Sequence, residues 1–181
     1  GQWIAFGQDD KLKKMPVVGG AAITLADSIL IAPAAWLDDH TVVYTREDLA
    51  LGRVSDAGGA PTVAWRAEDS QRAAAFPAPL PRTRGVLFSL CSSLCAQSDL
   101  WVLDLKSGDA KVLVPGAKQG WYLPTGDLAY VRSDGSVLAA PFDLKRLELR
   151  GTAVPILDNV AFLLAGLFPN ITFTATGTMV M

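Results

Sequence analysis

Few residues in this 181-residue sequence have the types that catalysis or metal binding needs. It contains one histidine, His40, and two cysteines, Cys91 and Cys95. A zinc site takes three or four His, Cys or acidic ligands with suitable spacing, and this set gives no such pattern. The Gly-x-Ser-x-Gly elbow of serine hydrolases does not occur in the sequence. His40 follows Asp38 and Asp39 at a predicted turn, which favours a solvated residue over a catalytic base.

Other polar motifs also have structural readings. The acid pairs Glu47-Asp48 and Glu68-Asp69 lie at predicted turns, where adjacent carboxylates usually cap the chain. The pairs Gly19-Gly20 and Gly58-Gly59 precede strand-like residues, whereas a phosphate-binding loop opens a helix. They are predicted to be hairpin turns. We therefore expect no catalysis, no bound metal and no cofactor in this chain.

The two cysteines are separated by three residues in the stretch CSSLCAQSD. This spacing places Cys91 and Cys95 around a hairpin connection, where their sulfurs can approach each other. An even cysteine count fits an oxidising compartment, in which disulfides persist. We favour a disulfide over the alternative of two reduced, partly buried thiols.

Composition excludes two classes of partner. The net charge is −2, and no run of basic residues offers the patch that a nucleic-acid backbone requires. The most apolar run, Val160–Phe168, is much shorter than the roughly 20 residues that cross a bilayer, so no membrane insertion is expected. The opening residues GQWIAF resemble a turn entering a strand, and the chain is expected to begin within a domain.

A repeated strand pattern predicts the architecture. A turn followed by a β-rich run ends in an aromatic residue at Phe6, Tyr44, Phe88 and Tyr130, with spacings of 38, 44 and 42 residues. This period suits a four-stranded propeller blade. The fold class is therefore predicted as all-β, a β-propeller fragment of about four four-stranded blades that is incomplete at both ends. A β-sandwich is the alternative, and the Ala-rich segment Arg66–Phe76 is interpreted as a loop.

The predicted blades cover residues 1–27, 33–67, 74–117 and 118–160, with the start of another at 168–181. An open arc of blades leaves unpaired strand edges, so self-association through the terminal blades is expected. The five tryptophans are predicted to pack mainly between blades rather than to form a sugar-stacking platform; they are Trp3, Trp36, Trp65, Trp101 and Trp121.

The stretch Ser98–Leu157, with its elements LPTGDLAYV and PFDLKRLEL, resembles the WD40-like, TolB-like propeller repeat. The likeness is to the C-terminal sensor region of bacterial serine/threonine protein kinases in particular. Asp38-Asp39-His40 and Arg82-Thr83-Arg84-Gly85 depart from the usual turns of that family. None of the kinase sequence motifs is present. The resemblance implies a propeller outside the cytoplasmic membrane, in the periplasm or at the cell surface.

The resulting functional prediction is a non-catalytic module that binds or senses a small molecule or protein, as part of a larger bacterial signalling protein such as a serine/threonine kinase. The alternatives are an accessory propeller of a peptidase-like hydrolase and an architectural component of the cell envelope. Loops that enter the innermost strands form the mouth of a propeller channel. They are predicted at Gln71-Arg72, Lys118-Gln119 and Ala161–Leu167, with Arg72, Lys118 and Gln119 as binding residues.

Overall fold

The computed structural model describes residues 1–92, 95–163 and 167–181. Nearly all regular structure in these residues is β-strand, and their one helical element is a short 3₁₀ turn at Pro81–Thr83. No helix in these ranges has the length and apolar character needed to cross a membrane.

The strands form four main sheets in chain order. Sheet I contains β1 (Trp3–Gln8), β2 (Lys11–Pro16) and β3 (Ile23–Asp27). Sheet II contains β4 (Ile29–Trp36), β5 (Thr41–Arg46), β6 (Leu51–Ser55) and β7 (Thr62–Trp65). Sheet III contains β8 (Ala73–Pro79), β9 (Gly85–Ser92), β10 (Gln97–Asp104) and β11 (Ala110–Val114).

Sheet IV is followed by two short hairpins. Sheet IV contains β12 (Ala117–Tyr122), β13 (Asp127–Arg132), β14 (Val137–Asp143), β15 (Glu148–Leu149) and β16 (Val154–Leu157). Its last two strands pair with different ends of β14. The hairpins are β17 (Phe162–Leu163) with β18 (Phe168–Pro169), and β19 (Thr172–Phe173) with β20 (Met179–Val180).

Each main sheet is an antiparallel meander, and successive sheets pack side by side. The first strands of sheets II, III and IV lie innermost, because β8 contacts both β4 and β12. We call the face on which these three strands begin the upper face, and the face on which they end the lower face. In each of these sheets, two segments reach the upper face. They are the connection that enters the innermost strand and the hairpin between the second and third strands of the sheet.

The turn residues that punctuate the sequence give the hairpins their geometry. Gly19 and Gly20 have φ of 90° and 136°, and Gly58 and Gly59 have φ of 89° and 115°. These left-handed values suit glycine, which has no Cβ to clash with the backbone. The two pairs connect β2 to β3 and β6 to β7, so the hairpin interpretation is confirmed and no helix follows either pair.

The repeated aromatic residue occupies the second strand of sheets II, III and IV. Tyr44, Phe88 and Tyr130 lie on β5, β9 and β13, and each is no more than 5% exposed. Phe6 lies on β1, the strand that precedes β2 in sheet I. From sheet II onward the period found in the sequence therefore corresponds to one sheet with its aromatic residue in the core, whereas Phe6 is only partly buried.

Hydrophobic clusters lie between successive sheets rather than inside one barrel. One cluster joins sheets I and II, the next joins II and III, and a third joins III and IV. Trp65 and Trp101 pack in the second cluster, with ring centroids 5.9 Å apart, as the core prediction expected. Trp3 differs, because it is 38% exposed and the Lys14 ammonium lies 4.3 Å from its ring.

The prediction of a loop over Arg66–Phe76 is wrong at its C-terminal end. Ala73 begins β8, which pairs with β9. The strand contains an irregularity at Phe76, whose φ is 53°, and Ala74 and Ala75 are almost fully buried. Pairing and burial therefore override the helix propensity of the alanines.

Candidate functional site

A polar pocket opens on the upper face between sheets III and IV. Its volume is about 460 Å³, and it is lined by Arg72, Ser92, Ala96, Gln97, Ser98, Asp99, Gly116, Lys118 and Ser133. These residues come from the connection before β8, the β9–β10 hairpin, the start of β12 and the connection after β13. The topology thus brings together four segments that are far apart in sequence.

Arg72 links the connection before β8 to the third strand of the same sheet. Its Nη2 donates to the carbonyl oxygen of Leu90 at 3.1 Å and to Asp99 Oδ2 at 3.3 Å. The other oxygen of Asp99 accepts a hydrogen bond from the Gly116 amide at 2.9 Å. Asp99 therefore ties Arg72 to the turn that leads into β12, and both of its oxygens are engaged.

Lys118 is buried at the junction of the two sheets, with 7% of its surface exposed. Its ammonium donates to the carbonyl oxygens of Cys95 and Ala96, the latter at 3.1 Å. Burial lowers the pKa of Lys118, because the charged form is poorly solvated there. In return, Ser98 Oγ donates to the Ala117 carbonyl at 3.1 Å, and Ser89 Oγ donates to the carbonyl of Lys118. Reciprocal bonds thus fasten β12 to sheet III.

A disulfide between Cys91 and Cys95 closes the hairpin that supplies the carbonyl groups to Lys118. Cys91 and Cys95 are 1% and 7% exposed, and they pack against Phe76. The ring of Phe76 meets Phe168 edge-on, with centroids 5.2 Å apart. The bridge therefore anchors one wall of the pocket to β8 and to the short hairpin β17–β18.

The predicted positions of the binding residues need two corrections. Lys118 and Gln119 lie within β12, whereas they were expected in the loop that enters it. The real connection is only Pro115-Gly116, and Gly116 makes the turn with a φ of 74°. Arg72 and Lys118 line the same pocket, but Gln119 does not. The segment Ala161–Leu167, which was expected to form part of the channel mouth, lies partly outside the described residues.

A second pocket lies on the lower face, where the innermost strands end. It has a volume of about 510 Å³, and its lining includes Trp36, Trp121, Tyr122, Pro124 and Phe173. The rings of Trp121 and Phe173 are 5.4 Å apart, so the final hairpin forms one wall. Trp121 is buried in a core cluster and Trp36 packs against another, as the sequence interpretation predicted, but that interpretation missed the cleft. The signal for it was an aromatic residue at the end of two innermost strands.

His40 lies at the lower face, in the turn between β4 and β5. Its side chain is 84% exposed, and Nδ1 is 3.2 Å from Asp56 Oδ2. The same Asp56 oxygen accepts a hydrogen bond from Trp36 Nε1 at 3.3 Å. The imidazole is therefore a solvated turn group paired with one carboxylate, at the opposite end from the polar pocket. The described residues contain no cluster of three or more His, Cys, Asp or Glu side chains suited to a metal ion.

Comparison with known proteins gives a match in structure and none in sequence. No family model matches the chain, and no curated protein matches it. TolB from Acinetobacter baumannii matches with a TM-score of 0.67 and 18% identity, over 92% of this chain and 41% of that one. A chain of the nidogen/laminin complex matches with a TM-score of 0.65 and 18% identity, over 94% of this chain and 65% of that one. The Dos1 propeller matches with a TM-score of 0.60 and 11% identity, over 93% and 46%.

These similarities concern the fold alone, since the sequence identities are low. This chain spans less than two thirds of the length of each of the three structures. The order of the sheets, their antiparallel meanders and the clusters between them agree with the same architecture. The chain therefore has an all-β, propeller-type fold that contains four main sheets.

Proposed function

We propose that this chain is a non-catalytic binding or sensing module, located outside the cytoplasmic membrane in a larger bacterial signalling protein such as a serine/threonine kinase. The observation that carries the binding role is the polar pocket between sheets III and IV. Two cations line it together, Arg72 from the connection before β8 and Lys118 from β12. The pocket is formed mainly by strands and short connections, which suits recognition by a rigid surface.

The chemistry of the pocket supports binding rather than catalysis. The hydroxyl of Ser98 donates to a backbone carbonyl instead of facing a base. The sole imidazole of the sequence, His40, lies at the other face. A nucleophile needs an adjacent base to act at neutral pH, and three serines line this pocket without a histidine among its lining residues. Of these, Ser98 is engaged in holding β12, and Ser92 donates to the Gln97 carbonyl.

The location outside the membrane is supported by the disulfide. Cys91 and Cys95 are bonded to each other, and disulfides persist mainly in oxidising compartments such as the periplasm and the cell surface. The attachment to a kinase rests on the sequence resemblance described above. A propeller that accompanies a hydrolase domain is the competing role, and the neighbouring domain of the full-length protein distinguishes the two.

Location can be tested by cysteine labelling of the full-length protein in bacterial spheroplasts. Val18 is 96% exposed, so Val18→Cys should react with a membrane-impermeant maleimide in intact spheroplasts. Val42 is 0% exposed, and Val42→Cys should react only after denaturation. Labelling of Val18→Cys only after lysis would place the domain in the cytoplasm and overturn this part of the proposal.

The binding role can be tested by a thermal-denaturation screen of small molecules against the wild type and a variant carrying Arg72→Ala and Lys118→Met. Ligands of the polar pocket should stabilise the wild type and lose that effect in the variant. Gln119→Ala, outside the pocket, is the matched control and should respond as the wild type does. Equal stabilisation of wild type and double variant by every ligand found would remove this pocket from the function.

A further inference from the structure

The polar pocket contains a buried cation without a carboxylate partner. The Lys118 ammonium has three N–H donors, and carbonyl oxygens of Cys95 and Ala96 accept from it. Among the described residues, no carboxylate lies within 4 Å of the ammonium. Carbonyl groups solvate the charge in part but do not neutralise it. A buried charge of this kind is stabilised further by an opposite charge brought next to it.

The acidic residue that lines the pocket is already engaged elsewhere. Asp99 accepts from Arg72 through one oxygen and from the Gly116 amide through the other. The pocket therefore holds two cations and one carboxylate, which leaves one positive charge in excess. Glu68 and Asp69 line a separate pocket, which shares Arg72 with the polar pocket but does not include Lys118.

The cavity also has room and neutral polar groups for a ligand. Its volume of about 460 Å³ lies within the range of small-molecule sites, about 300–1,000 Å³. Gln97 and Ser133 line it and can hydrogen-bond to a polar molecule. Arg72 uses only Nη2 toward the described residues, which leaves Nε and Nη1 as further donors.

We infer that this pocket binds a small monocarboxylic acid, whose carboxylate pairs with Lys118 and Arg72 while its polar groups contact Gln97 and Ser133. The inference rests on the proposed binding function and specifies its ligand class. One excess positive charge is balanced by one carboxylate, whereas a phosphate dianion would leave a negative charge in a partly enclosed cavity. Charge-assisted hydrogen bonds from these two side chains to a carboxylate are roughly twice as strong as neutral hydrogen bonds.

The test is a titration of the ¹⁵N-labelled 181-residue chain followed by NMR, at constant ionic strength in sodium chloride. The probes are sodium propionate, its uncharged analogue propionamide, and inorganic phosphate. Propionate should shift the amide signals of Ala96, Gly116 and Lys118 in a saturable way, with Kd on the order of 1–10 mM, as expected for a ligand of this size. Propionamide should bind at least about tenfold more weakly, because it lacks the charge.

Three single variants test whether propionate binds at the polar pocket. Lys118→Met should abolish saturable binding of propionate, and Arg72→Met should weaken it. Lys111→Met, which removes an exposed lysine on sheet III, should leave it unchanged. If Lys118→Met does not fold, the comparison of propionate with propionamide on the wild type and Arg72→Met still decides the question.

Three results would overturn the inference. They are equal binding of propionate and propionamide, preference for phosphate over propionate, and the absence of saturable shifts with propionate. Each of these concerns the ligand class alone. The proposed function is tested separately by spheroplast labelling and by the ligand screen, so a binding module with a different ligand would remain distinguishable from a chain that binds nothing in this pocket.

Discussion

The packing of sheet III against sheet IV can be tested at one close contact. Leu100 on β10 is 0% exposed, and Gly120 on β12 faces it. A Cβ placed on Gly120 would lie 2.6 Å and 3.1 Å from the two δ-carbons of Leu100. Each of the substitutions Leu100→Ala and Gly120→Ala should therefore destabilise the protein, and the two together should compensate in part.

The magnitudes follow from the packing. Leu100→Ala deletes buried carbon atoms from the cluster between the sheets, and such changes lower the free energy of unfolding by about 2–5 kcal/mol. Gly120→Ala overfills the same space, at about 1–3 kcal/mol. In the double variant the new methyl group occupies space that Leu100 left. The combined loss should therefore be smaller than the sum by at least about 1 kcal/mol.

Urea denaturation followed by circular dichroism gives the free energy of unfolding of the wild type, the two single variants and the double variant. If the free energy of unfolding of Leu100→Ala is lower by about 3 kcal/mol, thermal denaturation should show a Tm that is about 6–12 °C lower for a chain of this length. Val112→Ala on β11, where the side chain is 45% exposed, is the control and should change stability by about 0.5 kcal/mol or less. Losses in the double variant that add within about 0.5 kcal/mol would refute the contact between Leu100 and Gly120.

Four further outcomes are expected. Replacing Cys91 and Cys95 together by alanine should lower the free energy of unfolding by about 2 kcal/mol for so short a loop, and mass spectrometry of alkylated, unreduced wild type should show no modified cysteine. Arg46 and then Arg66 hold the pKa of Asp48 below its usual range. This stabilisation is fully present above about pH 4 and decreases progressively on acidification, so Asp48→Asn should cost up to about 1 kcal/mol at pH 7 and a smaller amount at pH 2, by urea denaturation. Because the pKa of Lys118 is lowered on folding, the unfolded chain holds more protons at alkaline pH, and the stability of the wild type relative to Lys118→Met should rise as the pH approaches about 10.4. Sedimentation at micromolar concentration should show an oligomer rather than a 19.2 kDa monomer, because sheet I has three described strands where sheets II and III have four, and its edge strand β1 therefore occupies the position that a second strand has in those sheets.

The regular parts of the fold could be predicted because their signals are local. Gly19 and Gly58 have the left-handed φ that favours glycine, and glycine is visible in the sequence. The two hairpin turns could therefore be predicted. The buried aromatic residue at Tyr44, Phe88 and Tyr130 repeats once per sheet, so its period identifies the blade. These features depend on a few neighbouring residues, which is why they could be predicted without coordinates.

The exceptions depend on contacts between distant segments. Ala73–Pro79 has the composition of a helix or loop, and only its pairing with β9 makes it a strand. Lys118 was expected in a loop, but the two-residue connection at Pro115-Gly116 places it inside β12. The engagement of both Asp99 oxygens depends on Arg72 and Gly116, which come from the connections that precede two different sheets. No local pattern in the sequence encodes these pairings.

The same side chains hold the two sheets together and line the pocket. Lys118 donates to carbonyl groups of the β9–β10 hairpin, and Ser98 of that hairpin donates back to β12. Arg72 and Asp99 make a second link across the same space. Because these contacts are made within the chain itself, the donors are already oriented before a ligand arrives, and binding has little ordering cost. A ligand that pairs with Lys118 would also strengthen the junction of sheets III and IV, so binding at this pocket and stability of the blade interface should change together.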